Sequence, residues 1–266
     1  MNDELRELLA DAVEVARRAG GVLRKHYGKR QNIHFKGEID LVTDVDRESE
    51  ALIVDFVQSR YRGHSILAEE SKPLEGEGEY RWIIDPLDGT TNYAHGYPFF
   101  CVSVAVEKGG EVVVGVVYDP LREECFTGVK GGGAFLNGEP VRVSRIEKLR
   151  RALLATGFPY DIRESQETNI DYFEAYARSA QAIRRDGSAA LDLCYLACGR
   201  FDGFWELKLK PWDTAAGYLI VLEAGGMVTG LSGEPYSIYD GDVLGSNGLI
   251  HAQMLEVAES VRRRRS

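Results

Sequence analysis

Apolar residues first recur at helical spacing. Leu5, Leu8, Leu9, Ala12, Val15, Ala16, Ala19 and Leu23 fall on one face of a helix predicted from Glu4 to about Tyr27. A polar segment from Gly28 to Asp40 breaks this pattern, and Lys36-Gly37-Glu38 within it reads as a mobile turn. A second helix is predicted from about Asp46 to Arg60, with Asp44 and Asp46 near its start, where acidic side chains are favoured. The pattern then changes to short apolar runs. Ser65–Ala68 reads as a strand ending in Glu69-Glu70, and after a Gly/Glu-rich loop Trp82-Ile83-Ile84 reads as a buried strand. From 101 to 143 strands predominate, with turns at Gly109-Gly110 and Asn137-Gly138. The predicted runs are 101–106, 112–118, 124–129 and 134–136, continued by Val141-Arg142-Val143 in one antiparallel sheet.

Beyond Leu153 strand and helix alternate. Strands are predicted at 153–156, 204–206 and 243–246. Helices are predicted at 168–180, 188–197 and 214–224, with a last one from Gly248 or Leu249. Mixed and antiparallel sheets covered by helices make an α+β layered sandwich, expected as one unit over 1–266. Two packed halves, roughly 1–150 and 151–266, are expected to share a cleft.

Composition narrows what such a fold does. The formal charge of −10 argues against non-specific nucleic-acid binding and against attraction to anionic membranes. No apolar run approaches the length of a membrane span, and the acidic, amphipathic start reads as neither signal nor transit peptide. Cys101, Cys125, Cys194 and Cys198 lack C-x-x-C pairing, so a reduced, cytoplasmic protein is expected. The run Arg262-Arg263-Arg264-Arg265 reads as a solvated helix end.

The densest chemistry lies in Asp85-Pro86-Leu87-Asp88-Gly89-Thr90-Thr91-Asn92. An apolar strand delivers two carboxylates into a Pro/Gly turn, followed by two hydroxyls and a backbone rich in N–H donors. Carboxylates are hard ligands suited to Mg²⁺, and N–H groups at a helix start suit phosphate. Three other segments offer acids at predicted element ends: Asp44-Val45-Asp46, Glu69-Glu70 and Trp212-Asp213-Thr214. Each has a plainer explanation. Asp46 fits a helix start, Glu69-Glu70 a solvated loop and Asp213 an N-cap, while Pro-Leu-Asp-Gly alone is an ordinary turn.

Taken together, Glu69-Glu70-Ser71, Trp82 through Tyr93, Gly187-Ser188-Ala189-Ala190, Trp212-Asp213-Thr214-Ala215-Ala216-Gly217 and Glu223-Ala224-Gly225-Gly226 resemble the signatures of the inositol monophosphatase family. The resemblance runs in order from the first helix to the last. With Ala155-Thr156-Gly157-Phe158-Pro159-Tyr160 it is closest to the family's bacterial inositol-1-phosphatase branch. It implies an αβαβα sandwich, a homodimer, lithium sensitivity and Mg²⁺-dependent hydrolysis of a phosphate monoester with two to three ions. By that resemblance Glu69, Asp85 and the Leu87 carbonyl hold a first Mg²⁺, and Asp85, Asp88 and Asp213 hold a second. Thr90 and Asp46 orient the attacking water, and Lys36 approaches from the mobile loop. Gly89 and Thr90 meet the phosphate. Asp88, Ala189, Glu206 and Asp213 meet substrate, with Gly187 and Ser188 lining the pocket. Asp186 departs from the pattern, since an acid is not expected beside a phosphate pocket. Two other readings stay open: a dual-specific fructose-1,6-bisphosphatase, with Arg184, Arg185 or Lys208 for the second phosphate, and a regulatory binding partner using the fold as scaffold.

Overall fold

The computed structural model describes residues 3–29, 33–35 and 41–265. Lys36 lies outside the described residues. Helix α1 (Asp3–His26) is followed by short strands β1 (Ile33–Phe35) and β2 (Leu41–Thr43), which pair antiparallel. Helix α2 (Asp44–Arg60) begins two residues earlier than its apolar pattern suggests. Thr43 caps it, its hydroxyl accepting from Val45 N, while Asp46 at the third helical position accepts from Thr43 N.

Then come β3 (Ser65–Ala68), β4 (Tyr80–Asp88), the one-turn α3 (Thr90–Ala94), β5 (Cys101–Lys108), β6 (Glu111–Asp119), β7 (Glu124–Val129), β8 (Gly133–Leu136) and β9 (Glu139–Pro140). Strands β3 to β9 form a seven-stranded sheet in chain order, antiparallel except for the β3–β4 pair. Asn137 and Gly138 both have positive φ, the two-residue turn that matches sheet twist, and they join β8 to β9. The expected strand at Val141–Val143 is not formed. Val141 N still donates to Ala134 O of β8, but the chain then leaves the sheet and Val143 N donates to Ala224 O instead.

The second half of the chain adds β10 (Leu153–Thr156), α4 (Ile170–Ser179), β11 (Ala182–Arg184), α5 (Ala189–Ala197), β12 (Gly203–Glu206), α6 (Pro211–Glu223), β13 (Met227–Thr229), β14 (Val243–Ser246) and α7 (His251–Arg265). Its five strands run in the order β11-β10-β12-β14-β13, parallel among the first three and antiparallel from β12 onward.

Side-chain alternation sorts the layers. Trp82, Ile84, Val104 and Val114 pack under α1 and α2, whereas Ile83, Ala105, Val117 and Phe126 face α5 and α6. In the second sheet Phe204 joins the α5/α6 layer, and Trp205, Leu154 and Leu244 face Tyr176 of α4 and Met254 of α7. The result is the expected αβαβα sandwich. Helices α5 and α6, apolar nearly all round, occupy the middle because both their faces are covered by sheet. Gly115 on β6 lets α6 approach closely: a Cβ there would stand 2.7 Å from Ala216 O. Among the described residues no helix is long and apolar enough to cross a membrane, and all four cysteines are unpaired.

Candidate active site

Parallel pairing of Ala68 with Ile84 brings Glu69 beside Asp85 at one end of the first sheet. Helix α2 buttresses both turns: Glu50 accepts from Glu70 N at 2.8 Å, and Ser49 donates to Pro86 O at 2.9 Å. Strand β4 follows β5 as far as Asp85–Ser103, slips, and rejoins it at Asp88–Cys101. Pro86 has no N–H to give the ladder, and Leu87 N turns back to Asp85 Oδ1 at 3.0 Å. That bulge aims two carboxylates from a single strand into one cavity. Gly89 ends it with φ of 96°, where a side chain would be strained and its Cβ would lie 2.9 Å from Phe99 O.

Thr90 opens α3. Its hydroxyl lies 3.1 Å from Asp46 Oδ1 and 3.0 Å from Leu87 O, two acceptors for one proton. Asp46 Oδ2 takes the Thr43 amide at 2.9 Å and the Thr43 hydroxyl at 2.5 Å. Burial raises the Asp46 carboxyl above its ordinary pKa, and these hydrogen bonds only partly offset it.

Asp88 is held from the far side of the cleft. Its Oδ2 accepts from Ser188 Oγ at 2.6 Å and Ala190 N at 2.8 Å, with Cys101 Sγ at 3.8 Å. Ser188 is also the N-cap of α5, so one hydroxyl links the first sheet to the middle layer. Asp213 is not the N-cap its neighbours suggest. Helix α6 starts earlier, with Pro211 in its first turn, and Asp213 Oδ2 reaches back to Lys210 N at 2.6 Å. Asp85 and Asp213 are pushed well above the usual carboxylate range, by burial first and then by the surrounding acids. Asp88 is pushed up to about 6 by burial, against the Ser188 and amide hydrogen bonds.

Do these residues fit divalent cations? Among the described residues no three acids are posed as a closed metal cage. Glu69, Asp85, Asp88, Asp213 and Leu87 nevertheless line one cavity of about 250 Å³. Asp85, Asp88 and Asp213 each commit one oxygen to a protein donor, which leaves a hard-oxygen set with mutual repulsion to relieve. Mg²⁺ takes few carboxylates and fills its remaining positions with water and substrate oxygens, so an open set suits it.

A second cavity of about 250 Å³ adjoins the first and shares Asp88, Gly89, Glu206 and Asp213 with it. Gly187, Ser188 and Ala189 form one side. Glu206 ends β12 on the other, only 9 % exposed, its carboxyl pushed up to about 8 by burial although Arg185 draws it down. A Cβ on Gly157 would fall inside this carboxyl, so the glycine makes its room. Every described residue expected at the site therefore meets at these two cavities, with Asp46 behind Thr90.

Some lining residues carried no site role in the sequence. Thr156 to Tyr160 form a wall of both cavities or of the second, and Asp192 joins the second. A lone acid inside the apolar segment 189–197 was the available signal for Asp192. Of the three candidate cations, Arg185 lines the second cavity, while Lys208 lies at the first but is paired with Asp161 at 2.7 Å. Asp186 contributes its backbone: its carbonyl accepts from Asn92 Nδ2 at 2.8 Å, tying α3 to the Gly187 turn.

Acids converging at strand ends, against a tight glycine turn and beside a second cavity that ends on a carboxyl, suit a hydrolase of phosphate esters. The chain belongs to the inositol monophosphatase family, whose signature matches residues 4–263, and it is a phosphatase. It is 44% identical over 253 residues to an inositol-1-monophosphatase of Synechocystis sp., covering 94% of this chain and 88% of that one. It is 42% identical over 264 residues to the protein called Nus factor SuhB of Escherichia coli K12, covering 96% and 99%. The solved inositol monophosphatase of Anabaena (Nostoc) sp. superposes with a TM-score of 0.89 at 43% identity, covering 97% of each chain.

Proposed function

We propose that the protein hydrolyses myo-inositol monophosphate to myo-inositol and phosphate, with Mg²⁺ as cofactor. The observation that carries this reading is the pair of adjoining cavities, one ringed by Glu69, Asp85, Asp88 and Asp213, the other ending on Glu206. Glu69, Asp85 and the Leu87 carbonyl would hold one ion, and Asp85, Asp88 and Asp213 a second. Glu69 also suits a weaker third. Bound there, the ions supply Lewis-acid charge neutralisation and ease deprotonation of water.

The rest of the work falls to the chain. Thr90 accepts a hydrogen bond from the attacking water while donating to Asp46, whose raised proton affinity suits it to receive the proton. The amides of Gly89 and Thr90 hydrogen-bond phosphate oxygens. Ala189 N, Asp88 and Glu206 meet hydroxyls of the departing alcohol, since a carboxyl facing a polyol makes strong hydrogen bonds. A cytoplasmic homodimer inhibited by lithium completes the reading.

The test is phosphate release from inositol 1-phosphate with Mg²⁺. Activity abolished in Asp85→Asn is expected; no release by the parent protein, or an unaffected variant, removes the proposal. Arg185 on the cavity wall favours one second reading, dual action on fructose 1,6-bisphosphate, which relative kcat/KM on the two substrates decides. The relatives named Nus factor raise a regulatory role. An Asp88→Asn protein that is inactive yet sustains the cellular role would establish it.

A further inference from the structure

Asp192 stands in the most apolar helix of the molecule with 1 % of its surface exposed. Its Oδ1 has no hydrogen-bond partner among the described residues. Neighbouring Asp88, buried but more open at 9 % exposure, has three on its Oδ2. An unpaired buried carboxyl oxygen is costly, and native structures keep one only for a reason. Packing offers none, since an apolar residue of similar size would suit the layer between the sheets. The cavity offers one: Asp192 lines it together with Glu206, Ser188 and Arg185. Helical side chains lean toward the N-terminus of their helix, which for Asp192 is the Ser188–Ala189 rim of that cavity.

The geometry points to Asp192 as a specificity-determining residue whose carboxyl hydrogen-bonds a second hydroxyl of a polyhydroxylated leaving alcohol, on the far side of the pocket floor from the phosphate. This rests on the reading that the alcohol is a polyol, and deepens it. Glu206 at the end of β12 and Asp192 on α5 come from different layers, so they present two carboxyls to one ligand from two directions. Arg185 faces both and screens their repulsion; Asp186, Glu206 and Asp88 are the acids that act on Asp192. A cyclic polyol satisfies both carboxyls. An aryl phosphate, with no hydroxyls to offer, satisfies neither.

The experiment compares the parent protein, Asp192→Asn and Asp192→Ala on inositol 1-phosphate and p-nitrophenyl phosphate with Mg²⁺, alongside thermal melts. For inositol 1-phosphate, kcat/KM is expected to fall about tenfold or more in the alanine variant, mainly through KM, and less in the asparagine variant, which keeps a hydrogen-bonding group. For p-nitrophenyl phosphate it is expected to stay unchanged, and both variants are expected to melt at or above the parent temperature. A parent protein that does not prefer inositol 1-phosphate to the aryl ester overturns the polyol reading, and this assignment with it. A parent that does, with variants that keep the preference or lose both substrates equally, overturns the assignment alone. A variant that melts lower or fails to fold also overturns it, because Asp192 is then structural.

Discussion

Glu206→Gln separates the stability and the chemistry of the second cavity. The Glu206 carboxyl is held up to about 8 in the fold, against an ordinary value of 4.5, chiefly by burial. Between those values the unfolded chain has released a proton that the folded chain keeps. A carboxyl raised in this way lends its stability below the unfolded pKa and loses it as pH climbs toward the folded one. At about 1.36 kcal/mol per unit, the loss relative to acid is roughly 3 kcal/mol by pH 7 and about 5 kcal/mol once pH passes the folded value. Glutamine has the same shape and never ionises. The variant should therefore match the parent near pH 4 and exceed it by about 3 kcal/mol at pH 7, or roughly 6–12 °C in Tm for a chain of this length. Melts across that range with EDTA present measure it, and inositol 1-phosphate turnover should fall in the same variant. A pH-independent difference, or a variant less stable at pH 7, would refute the argument, because burial would then not be what holds the proton.

Under the proposed function Thr90→Ala should lower kcat by roughly 10²-fold with little change in KM, and Thr90→Ser should retain most activity, because it keeps the hydroxyl that donates to Asp46. Gly157→Ala displaces the Glu206 carboxyl, a flexible group, and should reduce kcat/KM for inositol 1-phosphate far more than it lowers Tm. Gly115→Ala meets rigid backbone, 2.7 Å from Ala216 O, and should cost about 1–3 kcal/mol or more in urea unfolding while sparing the KM for substrate.

How much of this was legible in the chain varies by element. The long helices and the strands from β4 to β8 follow from periodicity, because each spans enough residues to show a period of 3.6 or 2. Strands β1, β2, β11 and β13 were not foreseen: three residues have no period, and their pairing is decided by what the sheet edges accept. Val141–Val143 has strand composition, but after Val141 bonds to β8 the chain turns away and Val143 pairs with the end of α6. The acids were legible as types. Their roles came from family resemblance, and their convergence depends on the β3–β4 register and the bulge after Asp85, which no local pattern encodes. Lys208 shows the converse error, since a cation available in sequence is committed to Asp161 and Ser165 in the fold.

Convergence also explains why a chain of net charge −10 suits an anionic substrate. Three of the clustered acids are oriented by donors that cost nothing extra: Leu87 N for Asp85, Lys210 N for Asp213, and Ser188 and Ala190 N for Asp88. Those bonds fix direction without neutralising charge, so burial still raises every one of these carboxyls, joined by repulsion at Asp85 and Asp213. A ligand that relieved this repulsion would bind the folded chain in preference to the unfolded one, and under the proposed function the destabilisation of the cluster would return as affinity for a divalent cation. Cations held by the cluster would reverse the local field, so that a phosphate would be drawn to a surface that otherwise repels it. Net charge keeps the protein dispersed, and local arrangement rather than net charge decides what it binds.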